Sequence, residues 1–112
     1  MFRRPSIPAV AAGDVADDVY LLDVREDDEW AAGHAPGAVH VPMMQIPAFI
    51  DDIPEDRDVV VVCRAGGRSA QVVAFLQQNG RDRTINLDGG MQSWASAGRP
   101  MVSEDGGVPR VL

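Results

Sequence analysis

The chain has 112 residues, a formal net charge of −7 and 46% hydrophobic residues, which fits one globular domain rather than a disordered segment. The acidic balance argues against nucleic acid or an anionic membrane as a partner, because both require a basic face. A single cysteine cannot close an intramolecular disulfide, and a lone reactive thiol suits a reducing compartment, so the expected location is the cytoplasm.

Residues 1 to 18 read as an irregular start, with a short edge strand near Ile7 and a helical turn over Ala9 to Ala12 ended by Gly13. Met1-Phe2-Arg3-Arg4 resembles the opening of a signal peptide, but the apolar stretch behind it is broken by Pro8 and Gly13 and runs into Asp14. No segment approaches transmembrane length. Val19 to Val24 is a buried strand whose end carries Asp23, Arg25 and Glu26, and Asp27 is placed to cap a short helix from Asp28 to Ala32 that Gly33 stops. A carboxylate at a strand end invites a catalytic role; for Asp23 the preferred role is fixing nearby loop amides or an Arg. His34 and His40 have no Cys or second His at metal-ligand spacing, so each is read as structural and no metal or other cofactor is expected.

Val39 to Val41 suggests a strand closed by Pro42. Pro47 suits a first helical position, with Ala48 to Asp52 following as a short helix, and Met43 and Met44 are read as core filling. The charged turn Pro54 to Asp58 leads into Val59-Val60-Val61-Val62, four consecutive β-branched residues that read as a central strand buried on both faces. Ala70 to Gln78 then reads as a helix stopped by Asn79-Gly80.

Cys63 lies where this strand gives way to this helix. In open parallel sheets ligands bind beyond the carboxyl ends of the strands, where the next helix presents unpaired amides and its positive dipole end. A thiol there is expected to ionise readily. In Cys63-Arg64-Ala65-Gly66-Gly67-Arg68-Ser69 the glycines let amides turn inward as an anion nest, and Arg64 and Arg68 add charge with no acid inside the loop. Ser69 is the expected helix cap.

After the basic turn Arg81-Asp82-Arg83 comes a last buried strand, Thr84 to Leu87, whose end at Asp88-Gly89-Gly90 should emerge on the same sheet edge as Cys63. A closing helix from Met91 to Ala97 stops at Gly98 and Pro100. Residues 1–100 are thus one domain, and 101–112, with Gly106-Gly107 and Pro109, read as a flexible tail. Alternating strands and helices define an α/β domain with helices on both faces of the sheet.

Three segments resemble the rhodanese sulfurtransferases: the Cys63 to Ser69 loop, Leu21 to Glu26 running into Glu29 to Ala38, and Leu87 to Trp94 running into Gly98 to Pro100. The resemblance spans about Val19 to Pro100. It implies a mainly parallel five-stranded sheet, Cys63 as the catalytic sulfur carrier, and Arg64, Ala65, Gly66, Gly67, Arg68 and Ser69 as the substrate-binding loop. The family's His of the Gly-His turn is mainly architectural, a role carried to His34, while Asp23, Arg25 and Asp88 are read from their places at the strand ends as supporting residues.

The expected chemistry is a double displacement in which a Cys63 thiolate takes the outer sulfur of thiosulfate or a similar anion and passes it to cyanide or a thiol. Arg64 directly after the cysteine favours thiosulfate among the donors used by relatives. Two alternatives stand beside it. One is a carrier or regulatory module loaded by a protein partner; the other is a phosphatase or arsenate reductase of the same fold. The second is disfavoured because four residues, not five, separate Cys63 from Arg68, and because Asp88 is the one candidate acid for protonating a leaving alkoxide.

Overall fold

The computed structural model describes residues 7–112. Its strands are β1 (Ala9–Ala11), β2 (Tyr20–Asp23), β3 (Val39–His40), β4 (Val59–Val62) and β5 (Thr84–Asp88). Its α-helices are α1 (Asp27–Ala32), α2 (Ile46–Phe49), α3 (Gly67–Gln78) and α4 (Gly90–Ser96), with single 3-10 turns at Ala12–Asp14, Met43–Gln45 and Ile50–Asp52. The five strands form one sheet in the order β1-β5-β4-β2-β3, and every pairing is parallel.

The valine run occupies the centre of this sheet, paired with β2 on one side and β5 on the other. Each of its residues is at most 2% exposed. Alternation along the strand sends Val59 and Val61 into one core with Leu22, Val24, Ile46, Val72, Val73 and Leu76, and Val60 and Val62 into another with Leu87, Met91 and Trp94. The first core lies under α2 and α3, the second under α4, so helices cover both faces. Burying one such valine is worth roughly 1.5–3 kcal/mol. The same alternation turns Cys63, the next odd residue, toward the face that α3 covers.

Helix α3 ends as its residues dictate: the Gly80 amide donates to the Gln77 carbonyl and the Arg81 amide to the Leu76 carbonyl, with Gly80 at φ 83°. Its start departs from expectation. Gly66, at φ 108°, is the N-cap, and Ser69 sits inside the first turn rather than capping it. The glycine reaches a left-handed geometry that a serine there would resist, and this frees the Ser69 hydroxyl for another partner. Helix α1 likewise starts one residue early, with Glu26 and not Asp27 as its N-cap. The first strand is Ala9–Ala11, followed by the Ala12–Asp14 turn, rather than a strand near Ile7 and a helical turn from Ala9. Pairing with β5 overrides the local preference of the alanines. Met1 to Arg4, the segment resembling a signal-peptide opening, lies outside the described residues.

Residues 101–112, expected as a flexible tail, instead run back along α1. His34 and Val102 exchange two backbone hydrogen bonds of 2.9 Å, the Glu104 amide donates to the Ala31 carbonyl, and the Arg110 amide donates to the Ala32 carbonyl. A helix leaves its last carbonyls without intrahelical donors; here Gly33 serves those of Glu29 and Trp30, and the returning segment serves those of Ala31 and Ala32. Met101 and Val111 pack against the Trp94 core. The approach is close: a side-chain carbon on Gly33 would stand 2.8 Å from the Arg110 backbone nitrogen.

Candidate active site

All strands are parallel, so the loops after β2, β4 and β5 gather at one edge of the sheet. The β4 to α3 loop lies between the other two. Its shape is set from the β5 side, where the α4 amides of Met91 and Gln92 donate to the carbonyls of Cys63 (2.8 Å) and Arg64 (3.0 Å). Gly90, at φ 57°, makes this docking possible, since a side-chain carbon there would lie 2.6 Å from the Arg64 carbonyl carbon. With these carbonyls held by α4, the amides that follow turn toward the sulfur.

Cys63 is 2% exposed. Its Sγ accepts a hydrogen bond from the Gly66 amide (3.1 Å) and one from the Ser69 hydroxyl (3.2 Å). Burial pushes the thiol up, but hydrogen bonding to Ser69, hydroxyl and amide, and to the amides of Gly66 and Ala65 outweighs it, so the thiol lies below its ordinary value. The sulfur also stands at the N-terminus of α3, a helix of twelve residues. The arrangement favours an anion at this atom, which is what a nucleophilic cysteine requires.

The two loop arginines have partners that the loop sequence does not contain. Arg68 donates from Nη1 and Nη2 to the two Glu29 carboxylate oxygens at 2.8 and 2.9 Å. No acid stands within the loop itself, but α1 brings one, so the expectation of two unopposed charges is corrected. The Arg68 hydrogen bond, against burial that raises it, holds Glu29 down at about 2. Arg68 is raised in turn, chiefly by Glu29 and in smaller part by the charge of Cys63. Arg64 is exposed, and its Nε donates to the backbone oxygen of Leu112 at 2.6 Å.

The supporting residues divide. Asp23 and Arg25 form a buried pair: Arg25 Nε donates to both Asp23 oxygens (3.0 and 3.2 Å), and Nη2 donates to Asp23 Oδ2 (2.9 Å) and to the Gly33 carbonyl (2.7 Å). Arg25 is fully buried, so this pair ties the end of β2 to the end of α1. His34 Nδ1 lies 2.9 Å from the Trp30 carbonyl and Nε2 lies 3.3 Å from Glu104, while its ring stacks on Trp30. His40 stacks on the same indole and meets the Arg25 carbonyl through Nε2 at 2.7 Å. Asp88 ends β5 with an exposed side chain that has no hydrogen bond or ion pair among the described residues.

Glu29 and Asn86 are the residues that reading the loop alone misses. Asn86, on β5, donates from Nδ2 to the Gly66 carbonyl at 3.2 Å. Glu29 lies on α1, which follows β2, and Asn86 lies on β5, so each reaches the loop from a strand unit beside β4, and strand order is the signal that would reveal them. Among the described residues no three His, Cys, Asp or Glu side chains gather as a metal site, and no helix is long and apolar enough to cross a membrane.

A parallel α/β sheet with a cysteine loop opening onto a helix N-terminus defines the class, and comparison with known proteins gives the family. Residues 9–97 match the Rhodanese-like domain, and the chain belongs to that family. It is 47% identical over 90 residues to a protein of Allochromatium vinosum named "Sulfurtransferase", covering 80% of this chain and 84% of that one. It is 30% identical over 81 residues to the "Putative sulfur carrier protein YrkF" of Bacillus subtilis, covering 72% of this chain and 44% of that one. Among solved structures it resembles a rhodanese-related protein from Thermoplasma volcanium, with a TM-score of 0.79, 31% identity, and coverage of 85% of this chain and 97% of that one.

Proposed function

We propose that the protein is a sulfurtransferase that works through a persulfide on Cys63. The supporting observation is the pair of hydrogen bonds, from the Gly66 amide and the Ser69 hydroxyl, that converge on a sulfur at the start of α3. In the first half-reaction the Cys63 thiolate attacks the outer sulfur of thiosulfate. A new S–S bond forms to Cys63, the S–S bond of thiosulfate breaks, and sulfite leaves with the bonding electrons, so no oxidant is consumed. Sulfite needs no proton to depart, which agrees with a loop that holds no general acid. The negative charge that moves onto the outer sulfur of the persulfide stays within reach of the loop amides. In the second half-reaction cyanide or a thiol attacks that sulfur and regenerates the thiolate. Arg64 and Arg68 supply the positive field that draws a dianionic donor, and the amides of Ala65 to Ser69 receive it. A reducing compartment such as the cytoplasm suits a thiol of this kind.

A second reading has its own support. Arg68 is engaged by Glu29 and Arg64 by the Leu112 oxygen, which leaves less free positive charge for a small dianion than the loop sequence suggests. A carrier loaded by a protein donor fits that arrangement, and one relative bears the name of a sulfur carrier.

The test is thiocyanate formation from thiosulfate and cyanide, with wild type beside Cys63→Ser, and in parallel the loading of sulfur from a cysteine desulfurase. Turnover of thiosulfate that is lost in the variant supports the first reading. Loading by the desulfurase with negligible thiosulfate turnover supports the second.

A further inference from the structure

Asn86 is a poor residue for its position. It lies within the five-residue strand β5, in register with Val61 on one side and Ala9 on the other, where a β-branched or aromatic side chain is the usual occupant. Its backbone amide is already used, donating to the Pro8 carbonyl at 2.8 Å. Its side-chain Oδ1 is buried with no hydrogen-bond partner among the described residues. A buried amide oxygen without a donor opposes folding, so neither the sheet nor the core accounts for this side chain. Local choices that run against the fold tend to mark residues retained for a site.

Its side chain makes one hydrogen bond among the described residues, and that bond leads to the site. Nδ2 donates to the carbonyl of Gly66. That residue has three tasks at once: its amide donates to Cys63 Sγ, its carbonyl accepts the first helical bond from Ala70 (3.1 Å), and its φ of 108° turns the loop into α3. Gly66 has no side chain of its own to restrain it, and a glycine in this region of φ and ψ is free to leave it. A clamp on its carbonyl from the neighbouring strand therefore limits the direction in which its amide points. We propose that Asn86 is a positioning residue for the thiol site, holding the Gly66 peptide so that its amide is aimed at the Cys63 sulfur.

This inference rests on Cys63 being the working thiol, and its test reads that thiol directly, so it can fail or succeed independently of sulfur transfer. The charged groups around the loop, Arg64, Arg68 and Glu29, together with Asp88 at the end of β5, are untouched by the variants used. The rate of Cys63 alkylation by iodoacetamide is followed against pH in wild type, Asn86→Ala and Asn86→Leu. Asn86→Leu keeps the branched shape of the side chain and removes the donor without adding a charge. The expected result is a midpoint raised by about half to one pH unit in both variants, an order-of-magnitude figure for one lost hydrogen bond to the charged form. Below the midpoints this is a rate roughly 3- to 10-fold lower. Far-UV circular dichroism identifies the variants that retain the fold. A second measurement needs no variant: in 15N-labelled wild type the Asn86 side-chain amide signals should titrate with the Cys63 midpoint and shift on its alkylation. Unchanged midpoints in a folded variant would overturn the proposal, and so would Asn86 signals indifferent to the state of Cys63.

Discussion

Glu29 and Arg68 meet through two parallel hydrogen bonds of 2.8 and 2.9 Å that join α1 to the first turn of α3 across the mouth of the cysteine loop. Glu29 Oε1 also accepts from the Glu26 amide at 3.1 Å, so one carboxylate caps its own helix and anchors the next. The pair links the elements that follow β2 and β4, α1 and α3. It also sets how much positive charge the loop presents, because an arginine bound by a carboxylate attracts a second anion less strongly than a free one.

Glu29→Gln should separate these roles. The native carboxyl is held at about 2, below its ordinary 4.5. A carboxylate with a lowered pKa contributes stability that is fully present above the unfolded value, near 4.5, and is lost as pH falls through about 2. The variant should therefore be less stable at pH 7 by on the order of 1 kcal/mol after solvent screening, and should lose less stability than wild type between those limits. Urea denaturation at a series of pH values checks the direction. At pH 7 the same variant should bind small sulfur anions more tightly, since Arg68 is released.

Ser69→Ala removes the 3.2 Å hydroxyl contact to Cys63 at a position with no solvent exposure. Burial, the opposing influence, remains, so the thiol should rise in the variant. Linkage gives a second readout. A thiol lowered by folding adds stability as pH rises from its folded value toward 9.0, and that gain should be smaller in the variant. The pH dependence of iodoacetamide alkylation and of the denaturation midpoint measures both.

Arg25→Met should cost about 3–5 kcal/mol, because it leaves the Asp23 carboxylate buried without its partner. The double variant Asp23→Leu, Arg25→Met removes both charges and should recover most of the loss. A double-mutant cycle by chemical denaturation distinguishes this from simple loss of packing.

Gly33→Ala tests the returning C-terminal segment. The added carbon would collide with the Arg110 backbone and with Met101 Cε, while the φ of 173° is one that alanine adopts freely, so the effect is steric and falls on the returning segment. Residues 103–112 should lift from α1 at a cost of about 1–3 kcal/mol. Trypsin cleavage after Arg110, compared between variant and wild type, reports the release.

The central strand, the thiol and the helix after it were legible because their signals are local. Four valines in a row demand burial on both faces, and a glycine- and arginine-rich turn between strand and helix has few other uses. The contacts that complete the site were not legible, because each crosses from one strand end to another. Glu29 reaches Arg68 only because β2 neighbours β4, and Asn86 reaches Gly66 only because β5 lies on the other side. A serine near a helix start fits the capping rule, so the sequence suggests a cap at Ser69, whereas Gly66 takes the turn and leaves the hydroxyl to the sulfur. Residues 101–112 read as a tail because glycine and proline suggest freedom, while the open carbonyls of α1 that bind them are visible only after folding.

The most direct test of sulfur transfer through Cys63 is the intact mass of the protein after incubation with thiosulfate alone, with no acceptor, for wild type and Cys63→Ser. A persulfide mechanism predicts one added sulfur atom on wild type, removed by cyanide, and none on the variant. An unchanged wild-type mass with both thiosulfate and a desulfurase, or an equal gain on Cys63→Ser, would contradict it.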